Sequence, residues 1–192
     1  MVQRVPHGKV LILGTWNYAL LLAGVQAAQA LAAGNSVLWK PAAGTESATK
    51  VLIDCFYRAG VPEACLQQLD ASNETAIAAM EAGVDFIVLT GSAATGRKVL
   101  AGAAESITPA IMELSGCDAV IVLPSADRDR VAAAIRFGIT FNGGATCIAP
   151  RRVIVDSESA DELVDMLARQ LRDVAKLVIH PAAPVSYTHL TL

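Results

Sequence analysis

Val10–Ala33, VLILGTWNYALLLAGVQAAQALAA, decides the fold. As one apolar run it is long enough to cross a membrane, and Arg4 and Lys9 ahead of it imitate the charged start of a secretory signal. Its interruptions favour a division instead. Gly14–Asn17 carries turn chemistry, and Gln26 and Gln29 set amides into the second half. The stretch then becomes a buried strand, Lys9–Leu13, and an alanine-rich helix, Tyr18–Ala33, ended by Gly34–Asn35. A soluble strand–helix unit is expected, not a membrane span.

The same alternation runs outward along the chain. Strands are predicted over Ser36–Lys40, Cys65–Leu69, Asp85–Leu89, Ala110–Leu114, Ala119–Leu123 and Arg152–Val155. Helices are predicted over Glu46–Ala59, from Asn73 as its cap through Ala82, over Ala93–Ala104, Asp127–Phe141 and Ala160–Lys176. Strands alternating with helices of this length call for an α/β fold built on a doubly wound parallel sheet. The expected organisation is a first α/β domain over 1–114, then the first part of a second α/β domain over 115–180. Residues 181–192 form an atypical tail. That tail, PAAPVSYTHLTL, has no acidic or basic residue beyond His189 and no clear period, and it is read as a truncated or foreign reading frame.

Composition supports the sheet. Hydrophobic residues make up 54% of the 192 and charged residues only 17%, with mean hydropathy +0.47, as strands buried on both faces require. A net charge of −3 without a basic stripe argues against a nucleic-acid partner. No two of Cys55, Cys65, Cys117 and Cys147 form a CxxC pair, and no metal-ligand spacing is present. This pattern fits a reducing cytoplasm, with no metal site expected.

Ligands of a doubly wound sheet bind at the carboxyl ends of its strands, and suggestive residues follow several of them. Asn17, after the first strand, can donate to a developing oxyanion or cap the next helix. Lys40, closing the second, can hold a ribose hydroxyl or phosphate, or simply be solvated. Thr90–Lys98 (TGSAATGRK) sets Gly91, Ser92 and Gly96 where a helix opens, a seat for an anion. It departs from the triphosphate loop GxxxxGK(S/T), because Arg97 follows the second glycine and no hydroxyl follows Lys98. Glu113 ends the strand PAIMEL, as a general base raised by partial burial or as an exposed strand-end charge. Phe141–Arg152, FNGGATCIAPRR, sets Cys147 between paired glycines and two arginines. There the thiol is either an activated nucleophile or a small buried hydrophobe.

Five ordered segments between about Val5 and Val155 resemble the NAD(P)-dependent aldehyde dehydrogenase superfamily. Thr15-Trp16-Asn17-Tyr18-Ala19 is similar to its PWN(Y/F)P motif with both prolines replaced, and Gly34–Pro41 to GNxVxxKP. Leu89–Gly96 is similar to FTGSxxxG, and Met112–Gly116 to (L/M)ELGG with Ser115 for a glycine. Phe141–Cys147 is similar to FNxGQxC with Ala145 in the glutamine position. The resemblance implies an oxidoreductase that converts an aldehyde to a carboxylic acid with NAD or NADP, with a Rossmann-like nucleotide cofactor-binding domain over 1–114 and the N-terminal part of the catalytic domain over 115–180. Cys147, Glu113 and Asn17 would be its catalytic residues; Lys40, Gly91, Ser92 and Gly96 its cofactor contacts. It also implies a small-molecule aldehyde substrate and a homo-oligomeric parent. Ala43 stands where the family commonly has a ribose-gripping glutamate, which removes repulsion toward the 2′-phosphate of NADP.

The chain is expected to be less than half of a family member and inactive alone. Two alternatives stay open. One is a noncatalytic nucleotide-binding fragment; the other is a reductase acting on an acyl-CoA or acyl phosphate. Glu113 favours hydrolysis, since a carboxylate base serves attack by water.

Overall fold

The computed structural model describes residues 3–172 and 174, so the sequence-based expectations for the tail lie outside the described residues. The chain divides into two compact units at Leu114/Ser115. In the first, strands β1 (Lys9–Leu13), β2 (Ser36–Lys40), β3 (Leu66–Gln68), β4 (Phe86–Gly91) and β5 (Ala110–Leu114) form one sheet, ordered β3-β2-β1-β4-β5. Every pairing is parallel, with Leu11 opposite Leu38 on one side and Ile87 on the other.

Alternation along the strands builds two apolar layers. Val10, Ile12, Val37, Trp39 and Leu66 meet Ala23 and Ala27 of α1 (Leu21–Ala32) and Ile53 of α2 (Glu46–Arg58). Leu11, Leu13, Ile87 and Leu89 pack with Val99 and Ala103 of α4 (Ala93–Glu105). Ala76, Ala79 and Met80 of α3 (Asn73–Glu81) join that second layer. Helices therefore cover both faces, which is the doubly wound arrangement. Val10–Ala33 is strand, turn and helix, and among the described residues no helix is long and apolar enough to cross a membrane.

Helix starts differ from expectation. Ser72, not Asn73, caps α3, its hydroxyl accepting from the Thr75 N–H at 3.1 Å. Helix α1 begins at Leu21 because bends and turns occupy Trp16–Leu20, and its N-cap Leu20 offers no side-chain cap.

The second unit carries β6 (Asp118–Ile121) and β7 (Pro150–Ile154), paired in parallel with Asp118 opposite Pro150, and helices α5 (Arg128–Thr140) and α6 (Ser157–Leu171). Its core is Val122, Ala132, Ile135, Leu163 and Leu167. Strand β7 starts earlier than predicted, at Pro150, and α6 starts at Ser157 because Asp156 caps it, accepting from the Ser159 N–H at 2.9 Å. Proline is tolerated as the first residue of a strand.

Candidate active site

In the first unit the chain leaves β1 for α1 on one face of the sheet and β4 for α4 on the other. The two connections diverge from neighbouring strands, and such a point opens a crevice at the carboxyl edge. Gly14 N–H donates to the Lys40 carbonyl at 2.9 Å, tying the ends of β1 and β2 together. Thr15 donates its hydroxyl to the Asn17 side-chain oxygen at 2.7 Å. That bond engages the carbonyl end of the amide, and the donor end is the Asn17 Nδ2. Asn17 does not cap α1.

Lys40 ends β2 half-buried. Burial holds its ammonium below the usual lysine range, while the carboxylates of Asp70 and Glu46 pull the other way. Asp70 is itself held below the usual carboxylate range, chiefly by the Ser72 N–H donating to it at 2.8 Å.

Ser92 is the N-cap of α4, its hydroxyl accepting from the Thr95 N–H at 3.1 Å, and no acidic residue stands in the first turn. The positive end of the helix dipole therefore meets no carboxylate of its own helix. Gly91 is the last residue of β4. Gly96 is buried within α4, and its N–H donates to the Ser92 carbonyl at 2.9 Å. A Cβ there would fall 2.9 Å from Leu114 Cδ2, so this glycine lets α4 close on β5.

Glu113 takes the exposed one of its two readings, because it shares with Ile111 (57% exposed) a face of β5 that no described residue covers. Asn17, Lys40, Gly91, Ser92 and Glu113 all belong to strand ends or the loops after them, along one edge of the sheet.

Buried polar atoms of this unit also escape a reading of the sequence. Gln26 donates its amide to the Thr90 hydroxyl at 3.1 Å, yet its side-chain oxygen is buried with no hydrogen-bond partner among the described residues. The Gln68 side-chain oxygen and the Trp39 indole nitrogen are in the same condition. Their signal in the sequence is an amide or indole within an apolar run, and Gln26 enters there only as an interruption.

Cys147 belongs to the second unit. A short 3-10 turn, Phe141–Gly144, follows α5, and Asn142, Gly143 and Gly144 take φ of 51°, 62° and 78°. Glycine adopts this region freely, and asparagine is among the few others that enter it. The Asn142 amide donates to the Ala145 carbonyl at 3.2 Å, and the Ala145 N–H returns to the Asn142 carbonyl at 3.1 Å. Ala145, Thr146 and Ala149 are buried, and Cys147 stands half-buried among them as a free thiol. The two arginines behind it are committed to carbonyls of the β5–β6 connection. Arg151 donates to Gly116, and Arg152 donates to Cys117 at 2.9 Å.

Comparison with known proteins follows the same lines. The sequence model described as "Aldehyde dehydrogenase family" matches residues 1–183. Succinate-semialdehyde dehydrogenase (NADP(+)) 1 of Mycobacterium ulcerans (strain Agy99) is 38% identical over 167 residues, covering 86% of this chain and 36% of that protein. The 4,4′-diapolycopene aldehyde oxidase of Methylomonas sp is 31% identical over 170 residues, covering 88% of this chain and 32% of that protein. A crystal structure of Mycobacterium tuberculosis aldehyde dehydrogenase complexed with NAD+ superimposes with a TM-score of 0.82 at 32% identity, over 88% of this chain and 35% of that one. The chain thus spans about a third of the length of the curated relatives it matches.

Proposed function

The chain belongs to the aldehyde dehydrogenase family, and we propose that the protein to which it contributes oxidises an aldehyde to a carboxylic acid with NAD(P)+. Family membership and two sequence-matched curated relatives named for aldehyde oxidation support the reaction class. The observation that carries the assignment of residues is the line of Asn17, Lys40, Ser92 and Glu113 along one carboxyl edge of a doubly wound sheet.

The residues fit a dinucleotide. A 13-residue helix opens beside the β1/β4 divergence with no acid in its first turn, suited to a pyrophosphate. Lys40 offers a cation at the end of β2, suited to the adenosine ribose. Orphaned polar atoms on Gln26, Gln68 and Trp39 leave hydrogen-bonding capacity unused in the same unit. Bound NAD(P)+ supplies the hydride acceptor.

The chain's own residues do the rest. Cys147, as the thiolate, forms a bond from sulfur to the aldehyde carbon. The Asn17 amide and the Cys147 N–H donate to the oxygen, which becomes anionic as that bond forms. Loss of hydride from the resulting thiohemiacetal leaves a thioester on Cys147. Glu113 takes a proton from water as the water attacks the thioester carbonyl, releasing acid and returning the thiolate. Ala43 leaves one fewer carboxylate to repel a 2′-phosphate, so NADP+ is accepted along with NAD+.

Alkylation tests the nucleophile directly. Iodoacetamide is expected to label Cys147 ahead of Cys55, Cys65 and Cys117, with a rate that rises with pH as the thiolate forms. Labelling in the order of exposure alone, with the exposed Cys55 and Cys117 first, overturns the assignment. Lys40→Ala is expected to weaken NAD+ and NADP+ binding in titration calorimetry; unchanged affinity removes Lys40 from the cofactor contacts.

A further inference from the structure

A second thiol, Cys117, stands on the connection between β5 and β6, one residue from a backbone that packs against Cys147. Gly116 packs so closely against the Cys147 backbone that a Cβ on the glycine would fall 3.1 Å from the Cys147 carbonyl oxygen. Cys117 is the next residue. The strand register agrees, since Asp118 pairs with Pro150 across β6 and β7. Stepping back one residue on one strand and three on the other reaches the two cysteines, and a turn closed by Ala149 N–H to the Thr146 carbonyl shortens the second path.

Arginines fix the first segment in place. Arg151 donates to the Gly116 carbonyl and Arg152 to the Cys117 carbonyl, so the residues just after Cys147 grip the backbone that carries Cys117. Cys117 is exposed, Cys147 is half-buried, and both are free thiols. A disulfide asks for Cα atoms about 4.4–6.8 Å apart, and the close approach of the Gly116 and Cys147 backbones brings the two cysteine-bearing segments side by side.

We propose that Cys117 is a resolving thiol for Cys147, and that the pair closes a reversible disulfide when the protein meets a hydroperoxide. Resting on the assignment of Cys147 as nucleophile, the order of steps is set. The Cys147 thiolate attacks one peroxide oxygen and the O–O bond breaks. Cys147 becomes a sulfenic acid, and the other oxygen leaves with a proton as water or alcohol. The Cys117 thiolate then attacks the Cys147 sulfur, the S–O bond breaks, and hydroxide leaves and is protonated to water. Two electrons pass from the two sulfurs to the peroxide. While closed, the disulfide withholds the Cys147 sulfur from an aldehyde and spares it from irreversible oxidation; a dithiol reopens it.

The 192-residue chain is treated with hydrogen peroxide, its remaining thiols are blocked with N-ethylmaleimide, and it is digested with trypsin without reductant. The expected product joins the peptide Val99–Arg128 to the peptide Phe137–Arg151 within a monomeric chain, two hydrogens lighter than the separate pair, and is lost on adding dithiothreitol. In Cys117→Ser the linked peptide is absent, and the Cys147 sulfenic acid persists for capture by dimedone. Peroxide that leaves Cys117 fully alkylated, or links Cys147 to Cys55, Cys65 or another chain instead, overturns the proposal. Iodoacetamide labelling of the reduced chain separates the two claims. Preferential labelling of Cys147 without a linked peptide defeats the disulfide and leaves the nucleophile standing. A linked peptide without preferential labelling supports the pairing and defeats the nucleophile.

Discussion

Neighbouring residues in the two units meet different fates. In β1, Leu11 and Ile12 point to opposite faces and both are 0% exposed. At the end of β6, Val122 is 5% exposed while Ile121 beside it is 69% exposed. The first sheet is covered on both faces except along its edge strand β5, and the second on one. The first unit therefore draws stability from two apolar layers, while the second joins a two-stranded sheet to two helices through one layer. Two-stranded pairings are marginal without further packing.

The largest test of this contrast is Leu11→Ala. Removing a fully buried leucine from the second apolar layer is expected to cost about 2–5 kcal/mol. Both tryptophans, Trp16 and Trp39, lie in the first unit, so urea unfolding followed by tryptophan fluorescence reports that unit alone. The fluorescence midpoint is expected to fall sharply in the variant. In the parent chain the circular dichroism at helix wavelengths, which reports both units, is expected to begin its loss at lower urea than the fluorescence. Coincident transitions break the contrast, since they mean one cooperative unit.

The same contrast explains what was legible in the sequence. Strands buried on both faces read as continuous apolar runs bounded by turns, so KVLIL and SVLWK fall on their observed limits, Lys9–Leu13 and Ser36–Lys40. In the second unit the signals are mixed. Pro150 opens β7 although proline ordinarily argues against a strand, and the predicted start falls two residues late. Among site residues, chain position was readable and environment was not. Lys40 and Ser92 stand at element ends marked by Pro41 and by glycine–serine chemistry. Whether Glu113 is covered depends on what packs over β5, and whether Gly96 faces a ligand or Leu114 depends on tertiary contact. Neither is encoded within a few residues of the site.

Gly138→Ala sharpens the comparison from the other side, with a smaller effect. A Cβ at Gly138 of α5 would fall 2.8 Å from Cδ of Pro150, a ring atom unable to swing aside as a leucine methyl can. Overpacking of this kind is expected to cost about 1–3 kcal/mol. The loss belongs to the second unit, so the early circular dichroism phase moves to lower urea while the tryptophan midpoint stays in place. Movement of both midpoints by the same amount refutes independent stability.

The smallest effect separates the units by acid. In the second unit Ser159, through its hydroxyl and then its N–H, holds the Asp156 carboxyl below the usual range, with Arg128 acting in the same direction. A carboxyl whose folded pKa lies below its unfolded value contributes stability that is present above the unfolded value, about pH 4, and disappears as pH falls through the folded one. Asp70 follows the same rule in the first unit. Both phases of unfolding are therefore expected to weaken below about pH 4. Asp156→Asn keeps a capping side chain and removes the titration, so it is expected to flatten the acid dependence of the early circular dichroism phase and leave that of the fluorescence phase unchanged. An unaltered acid slope in the early phase means that Asp156 does not link protons to the folding of the second unit, and that its Ser159 contacts persist in the unfolded chain or add nothing to the folded one.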